Sequence, residues 1–366
     1  MINRMRLKSL LHEMVNIYSP SGKETDLLDY LRSYLKGRGA RPLMQPVDEH
    51  RCNLLVLPER GPDIELALIG HLDTVSAYDI EDYGFAADGD RVRGLGTADM
   101  KSGCAAMIEA YTTFQYGRQF RAPAALCLVV GEEENGDGAA RLIADYHFPW
   151  AIVGEPTNLF PCLSCYGYAE IRISSTAKRR HASVAAGHEN AIESLLGAMG
   201  RVSHFLRENH PEVVYNFRDL YSAPSGFTAP DYCEAWMDIH MPPDAPMEDR
   251  VRSLEALGRK PAGGEADLNE CALHFEVETL VPGYALAQQG RLFRALQSVY
   301  ARNALPWRTK PFRSHCDAHQ LRAAGIQPIV LGPGRLEHAH ASDEWVSFNQ
   351  VCQAAEVYVG LMQALF

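Results

Sequence analysis

The sequence predicts an α/β protein with a mostly parallel sheet, into which a second domain of the α+β class is inserted. Up to about residue 160, and again after Pro282-Gly283, short apolar runs alternate with stretches of helical periodicity. Between these parts, apolar and polar residues alternate at every second position. The first pattern is typical of a parallel sheet covered on both faces, and the second is typical of antiparallel strands. We therefore assign residues 1–166 and 281–366 to one domain and residues 167–280 to the inserted domain.

Periodicity and turn residues predict the elements of the first domain. Apolar residues recur at helical spacing over residues 7–17, and Ser21 with Glu24 three positions later is a candidate capping box, which predicts the start of the next helix. Short apolar runs bounded by turn residues are predicted to be buried strands. The predicted strands cover residues 53–57, 64–69, 125–130, 150–153 and 328–331, and further helices are predicted at 100–114, near 290–301 and near 348–365.

The inserted domain is predicted from three alternating runs and one amphipathic helix. The runs cover residues 168–174, 233–239 and 274–279, and the helix covers residues 191–208. Strict alternation places apolar side chains on one face of a strand and polar side chains on the other. We therefore expect an antiparallel sheet with one face packed against helices.

The composition excludes several classes of partner and location. Of the 366 residues, 46% are hydrophobic and 22% are charged, and the formal net charge is −11. Because no block of lysine and arginine stands out, we expect neither nucleic acid nor a membrane as a partner. The apolar runs are too short to span a bilayer and the first residues lack the apolar core of a signal peptide, so we expect a cytoplasmic protein. The nine cysteines, an odd number, are expected to be reduced thiols.

Charged residues follow the predicted strands of the first domain at the points where those strands end. In an open parallel sheet, ligands bind outside the carboxyl ends of the strands. We therefore expect one crevice to collect these side chains, together with an aspartate from the loop that precedes the third helix. The candidates are His71, Asp73, Asp99, Glu133, Glu134 and Glu155.

This set of side chains predicts a metal site. Carboxylates packed together raise one another's pKa and are costly to bury, and a divalent cation removes that repulsion. Imidazole and carboxylate together suit Zn²⁺, with Co²⁺ or Mn²⁺ as possible substitutes. A second histidine is available after the strand at 328–331, where the residue pattern leaves the choice between His338 and His340 open.

Five motifs occur in a characteristic order along nearly the whole chain. They are Gly-His71-Leu-Asp73-Thr-Val, Gly-Leu-Gly-Thr-Ala-Asp99-Met-Lys-Ser-Gly, Glu133-Glu134-Asn-Gly, Val-Gly-Glu155-Pro-Thr and Ala-His340-Ala-Ser-Asp-Glu-Trp. Together they resemble the co-catalytic zinc aminoacylase/carboxypeptidase superfamily, which includes acetylornithine deacetylase and succinyl-diaminopimelate desuccinylase. The resemblance implies a zinc-exopeptidase-like catalytic domain and an inserted dimerisation or lid domain, and therefore a homodimer.

The resemblance also implies a role for each candidate residue. Two Zn²⁺ ions per subunit would be bound, with Asp99 bridging them. His71 and Glu155 would complete the ligands of the first ion, and Glu134 and His340 would complete those of the second. His338 would lie outside the site. Asp73 would orient His71, and Glu133 would be the general base that takes a proton from water and delivers it to the leaving amine. His181, in an Arg-Arg-His-Ala-Ser stretch followed by Gly187-His-Glu-Asn190, would be lent by the inserted domain as a transition-state donor.

The implied reaction is removal of an acyl group from an N-acyl amino acid, most like that of the acetylornithine deacetylase branch, which serves arginine biosynthesis. Succinyl-diaminopimelate desuccinylase is the first alternative, followed by a small dipeptidase or carboxypeptidase, and by a metal-binding relative without catalysis. Two departures from the family pattern concern substrate choice. His240 stands where an arginine is expected, and His315-Cys316 replaces small residues before an aspartate.

Overall fold

The computed structural model describes residues 1–58, 63–116, 122–185, 189–223, 226–259 and 271–366. The helices, in chain order, are α1 (Arg4–Asn16), α2 (Thr25–Gly37), α3 (Lys101–Tyr116), α4 (Asp137–Asp145), α5 (Ala191–Asn209), α6 (Met247–Gly258), α7 (Arg291–Arg302), α8 (Ala318–Ala323) and α9 (Phe348–Leu365).

The strands are β1 (Leu43–Pro46), β2 (Cys52–Val56), β3 (Leu66–His71), β4 (Ala86–Asp88), β5 (Arg91–Arg93), β6 (Ala124–Val129), β7 (Trp150–Val153), β8 (Ser164–Cys165), β9 (Gly167–Ala177), β10 (Val214–Tyr221), β11 (Tyr232–Met241), β12 (Cys271–Val281), β13 (Tyr284–Ala285), β14 (Pro311–Phe312), β15 (Gln327–Val330) and β16 (Trp345–Ser347).

The chain forms two compact units. Unit 1 comprises Met1–Leu163, Leu286–Phe312 and Cys316–Phe366, and unit 2 comprises Ser164–Ala285 and Arg313–His315. The predicted domain boundaries, after residues 166 and 280, lie a few residues inside these limits. The reason is that β8 pairs with β13, so both short strands belong to unit 2.

Unit 1 is built on a six-stranded sheet with the order β1-β2-β6-β3-β7-β15. The strands β6, β3, β7 and β15 run parallel to one another, whereas β2 pairs antiparallel with β6 and β1 pairs antiparallel with β2 at one edge. Every residue of β3 and β6 is buried, as a strand covered on both faces requires. The predicted fold class, an α/β protein with a mostly parallel sheet, is confirmed.

Three helices of unit 1 pack together over this sheet. The helix α3 contacts both α1 and α9. The apolar residues predicted at helical spacing in α1 are buried, among them Leu7, Leu10, Leu11 and Met14. The helix begins after Asn3, whose side chain accepts a hydrogen bond from the Arg6 N–H and so satisfies one free donor of the first turn.

Unit 2 contains a four-stranded antiparallel sheet with the order β10-β11-β9-β12. The helices α5 and α6 contact this sheet, and the alternate residues of β9 and β11 are buried. The antiparallel α+β pattern predicted for the insert is therefore present. Within the ranges that the structure describes, no helix combines the length and apolar character needed to cross a bilayer.

The close approach of α3 to the end of β7 depends on Gly103. A Cβ atom at this position would lie 2.2 Å from the backbone oxygen of Gly154, which immediately precedes Glu155. We expect Gly103→Ala to lower the free energy of unfolding by about 1–3 kcal/mol, because the backbone must move to admit the methyl group. Urea unfolding measures this change.

Gly200→Ala is the matched control for that substitution. Gly200 lies inside α5, and a Cβ atom there would have nothing within 4 Å. We expect this variant to be as stable as the wild type or up to about 1 kcal/mol more stable, because alanine favours the helix. Equal unfolding midpoints for Gly103→Ala and the wild type would contradict the packing argument.

Candidate metal centre

The carboxyl ends of three neighbouring parallel strands meet at one edge of the unit 1 sheet. β3 ends at His71, β6 is followed by Glu132, and β7 is followed by Glu155. The His71 Nε2 atom lies 3.8 Å from Glu132 Oε2 and 3.8 Å from Glu155 Oε1. These three strands therefore bring charged side chains together at the carboxyl edge of the sheet.

His71, Asp99 and Glu155 form the first group of candidate metal ligands. Each offers an atom within 4.8 Å of the others, and all three residues are buried. His71 Nε2 lies 3.2 Å from Asp99 Oδ1, and its Nδ1 lies 3.0 Å from the backbone oxygen of Asp73. Because a carbonyl oxygen can only accept, this contact places a proton on Nδ1 and directs Nε2 toward the carboxylates.

Asp99, Glu133 and His340 form a second group within the same distance limit. His340 Nε2 lies 3.1 Å from Glu133 Oε2 and 3.6 Å from Asp99 Oδ2. Asp99 thus presents one oxygen to His71 and the other to His340, as a carboxylate shared by two cations must. Of the two histidines that the residue pattern left open, His340 lies in this group, whereas the ring of His338 stacks on Trp345 at 4.4 Å.

The acidic loop after β6 differs from the prediction by one residue. Glu134, predicted to be a ligand of the second ion, is exposed and lies in neither group that the described residues form. Glu133, predicted to be the base, lies against His340, and Glu132 faces His71. The physical reason is the anchoring of the loop: the Asp73 carboxylate accepts the N–H groups of Glu132 and Glu133, at 3.2 and 3.0 Å.

Asp73 is completely buried beneath this loop. Besides the two N–H groups of the acidic loop, its carboxylate accepts the Ser21 hydroxyl at 2.8 Å. The carboxylate lies 3.6 Å from His71 Nδ1, farther away than the Asp73 backbone oxygen. Asp73 therefore contacts both the first histidine and the acidic loop.

The buried carboxylates at this edge repel one another. Burial raises the pKa of Glu132 and of Glu155 well above the usual range, and neighbouring carboxylates raise both further. Burial opposes charge on His71, yet its contacts with Asp73 and Asp99 raise its pKa well above the ordinary value. Glu155 Oε1 is buried without a hydrogen-bond partner among the described residues. A divalent cation relieves the repulsion and pairs this oxygen, so the residues present fit a metal centre of the imidazole–carboxylate type.

His181 lies in unit 2, in a short exposed stretch that forms an isolated bridge with Thr228. Its Nδ1 atom is 2.8 Å from the Ser183 hydroxyl oxygen. Gly187 and His188, which belong to the motif that suggested a role for His181, lie outside the described residues. The transition-state role of His181 stays a prediction.

Two residues that depart from the family pattern, His240 and His315, lie beside Tyr168 in unit 2. The ring of Tyr168 lies 5.2 Å from that of His240 and 5.9 Å from that of His315. Burial lowers the pKa of His240, so this side chain is neutral near pH 7. A neutral imidazole cannot replace the fixed charge and the two-pronged hydrogen bonding of an arginine.

The sequence of this chain matches the model of a known protein family. The match to peptidase family M20/M25/M40 spans residues 67–364. The chain belongs to peptidase family M20/M25/M40. This membership confirms the superfamily resemblance of the five motifs, and with the two ligand groups it makes the protein a metal-dependent hydrolase.

Two relatives share about a quarter of their residues with this chain. Acetylornithine deacetylase of Photorhabdus laumondii is 27% identical over 342 residues, which cover 88% of this chain and 86% of that protein. Succinyl-diaminopimelate desuccinylase of Corynebacterium glutamicum is 25% identical over 363 residues, covering 95% and 94%. A tripeptidase structure from Staphylococcus aureus superposes with a TM-score of 0.81 at 18% identity, covering 99% and 98%, and so shares the fold.

Proposed function

We propose that this protein is a dinuclear zinc hydrolase that removes the acyl group from an N-acyl amino acid, with N-acetylornithine as the preferred substrate. The observation that carries the proposal is the position of Asp99, which contributes an oxygen to both groups of ligand atoms. The names of the deacetylase relatives support the acyl amino acid as substrate.

In this proposal one ion is held by His71, Asp99 and Glu155, and the other by Asp99, Glu133 and His340. We take both to be Zn²⁺, with Co²⁺ or Mn²⁺ as substitutes. When bound, such ions polarise a carbonyl group and lower the pKa of water. The strand β3, the segment after β7 and the Asp99 loop carry the ligands of the first ion.

We assign the general base to Glu132 in place of Glu133. Glu132 lies in neither ligand group of the described residues, but it stands at the same edge, 3.8 Å from His71 Nε2. Burial raises its pKa well above the usual range, so its carboxylate readily accepts a proton from water and can return it to the leaving amine. Glu133 Oε2 lies 3.1 Å from His340 Nε2, so Glu133 is placed to be a metal ligand together with His340.

The proposal extends to parts of the protein outside the metal centre. By the family resemblance, unit 2 mediates a homodimer and lends His181 as a hydrogen-bond donor to the developing oxyanion. The nine cysteines are all free thiols, which supports a cytoplasmic enzyme, and deacetylation of acetylornithine would place it in arginine biosynthesis.

A substrate panel tests the proposed reaction. Release of free amine is measured from N-acetylornithine, N-acetyl-lysine, N-acetylcitrulline, N-acetylmethionine, N-succinyl-diaminopimelate and a dipeptide, with Zn²⁺ or Co²⁺ supplied. We expect the highest kcat/KM for N-acetylornithine and no turnover after the metal is removed by a chelator. The chelated enzyme reloaded with metal is the control.

The panel also separates the alternatives. Preference for N-succinyl-diaminopimelate would favour the desuccinylase activity, and the similarity to the Corynebacterium glutamicum enzyme covers 95% of this chain. Preference for the dipeptide would favour a peptidase. Two bound ions with no turnover across the panel would contradict the proposal and favour a metal-binding relative without catalysis.

A further inference from the structure

Glu344 is a buried carboxylate that binds the backbone of the loop carrying Asp99. Its side chain is only 4% exposed. Oε2 accepts the Gly96 N–H at 2.9 Å, and Oε1 accepts the N–H groups of Ala98 and Asp99 at 2.7 and 3.0 Å. One carboxylate therefore satisfies three backbone donors within four residues of the metal-binding loop, and the last of these donors belongs to Asp99 itself.

Glu344 also belongs to the loop that carries His340. It follows His340 by four residues, and its N–H donates to the Ala341 oxygen at 3.1 Å, which closes the loop into a turn. The backbone oxygen of Glu344 accepts the Gly94 N–H at 3.2 Å. The side chain and the main chain of one residue thus join the two loops that supply Asp99 and His340.

This junction continues a short antiparallel ladder. Trp345 of β16 pairs with Arg93 of β5, directly before the Glu344–Gly94 contact. The ladder sets the distance between the two loops, and the Glu344 carboxylate extends that connection beyond the last strand pair toward Asp99. A carboxylate that accepts several N–H groups is a strong anchor, because each hydrogen bond is charge-assisted.

The two ligand groups depend on this anchor to different extents. His71 and Glu155 of the first group are held by β3 and by the end of β7, within the buried parallel sheet. Two of the three ligands in the second group, Asp99 and His340, come from the loops that Glu344 joins. A change at Glu344 therefore disturbs the second group more than the first.

We propose that Glu344 is a positioning residue that aligns the Asp99 and His340 loops and thereby sets the affinity of the second metal ion. This inference rests on the proposed metal centre, but it concerns the relative affinities of the two sites and not the reaction. Residues that orient metal ligands typically change metal affinity by about 10–100-fold when they are replaced.

Stepwise metal binding by the 366-residue apoprotein tests this inference. Co²⁺ is titrated into wild type, Glu344→Gln and Glu344→Asp, and binding is followed by visible absorption and by competition with a chelator. Glutamine keeps the shape of the side chain but turns an N–H₂ group toward one of the backbone donors. We expect the Kd of the second-group step, identified as the step that His340→Ala removes, to rise about 10–100-fold in Glu344→Gln, with the other step changed less than about threefold.

Two variants make the result specific. Glu337→Gln removes an exposed carboxylate from the same stretch of chain and should leave both steps unchanged. Glu344→Asp keeps the charge but is shorter, so it should weaken the second step to an intermediate degree, and it replaces the glutamine variant if that variant fails to fold. Urea unfolding of each apoprotein establishes that the fold is retained.

Two results would overturn the inference while leaving the metal centre intact: unchanged affinities at both steps in the Glu344 variants, or equal weakening of both steps. Wild-type protein that binds no Co²⁺ would overturn the proposed metal centre, and this inference with it. The first two outcomes are distinguished from the third by the wild-type titration alone.

Discussion

Replacement of Glu132 by glutamine is expected to lower kcat by about 10²–10⁴-fold without reducing the metal content. Glutamine keeps the shape of the side chain but cannot accept a proton from water. Glu132 lies outside both ligand groups that the described residues form, so both ions should remain bound. Single-turnover kinetics and elemental analysis of the purified variant measure the two effects separately.

The neighbouring glutamates are the matched controls for this experiment. Glu133→Gln should release the second ion, because Glu133 is the carboxylate nearest to His340. Glu134→Gln should change neither kcat nor metal content, because Glu134 is exposed. The opposite result, in which Glu133→Gln keeps both ions and Glu134→Gln loses one, would support the register predicted from the sequence, with Glu133 as base and Glu134 as ligand.

Asp99→Ala is expected to have the largest effect on metal binding. Its two oxygens lie 3.2 Å from His71 Nε2 and 3.6 Å from His340 Nε2, so one substitution removes a ligand from both groups. We expect at most one ion per subunit in place of two, and turnover below detection. Elemental analysis after gel filtration in metal-free buffer measures the stoichiometry.

Substitution of a ligand that belongs to only one of the two groups provides the comparison for Asp99→Ala. Glu155→Ala removes a ligand from the first group and His340→Ala from the second, so each should lose one ion and keep the other. If Asp99→Ala still bound two ions with wild-type affinity, Asp99 could not be the bridge, and the proposal that one carboxylate is shared by the two groups would have to be abandoned.

Much of the fold was predictable because local patterns determine a buried parallel sheet. The predicted runs at 64–69, 125–130 and 150–153 overlap β3, β6 and β7. Because every residue of β3 and β6 is buried, these strands appear in the sequence as continuous apolar runs. The strand β10 was not predicted. Most of its residues are exposed, so it carries little of the alternation that marks a half-buried strand.

Other elements were missed for a similar reason. The short strands β4, β5 and β16 form a three-stranded sheet in which hardly any residue is buried, and three residues are too few to show a period. This small sheet nevertheless determines where Glu344 lies, because β16 and β5 pair next to it. This role cannot be predicted from local sequence, because β5 and β16 are far apart in the chain and pair only in the folded protein.

The sequence by itself determined the fold class and the chemical nature of the metal-binding side chains, because parallel strands bring their carboxyl ends to a common edge wherever they occur. It could not determine the register of three consecutive glutamates, since composition and spacing are the same for either assignment. Only the tertiary structure decided that Glu133 lies against His340, that His338 packs on Trp345, and that Asp73 and Glu344 accept backbone N–H groups from the ligand loops. These contacts join residues that are far apart in the chain, and their geometry depends on how the loops fold over the sheet edge.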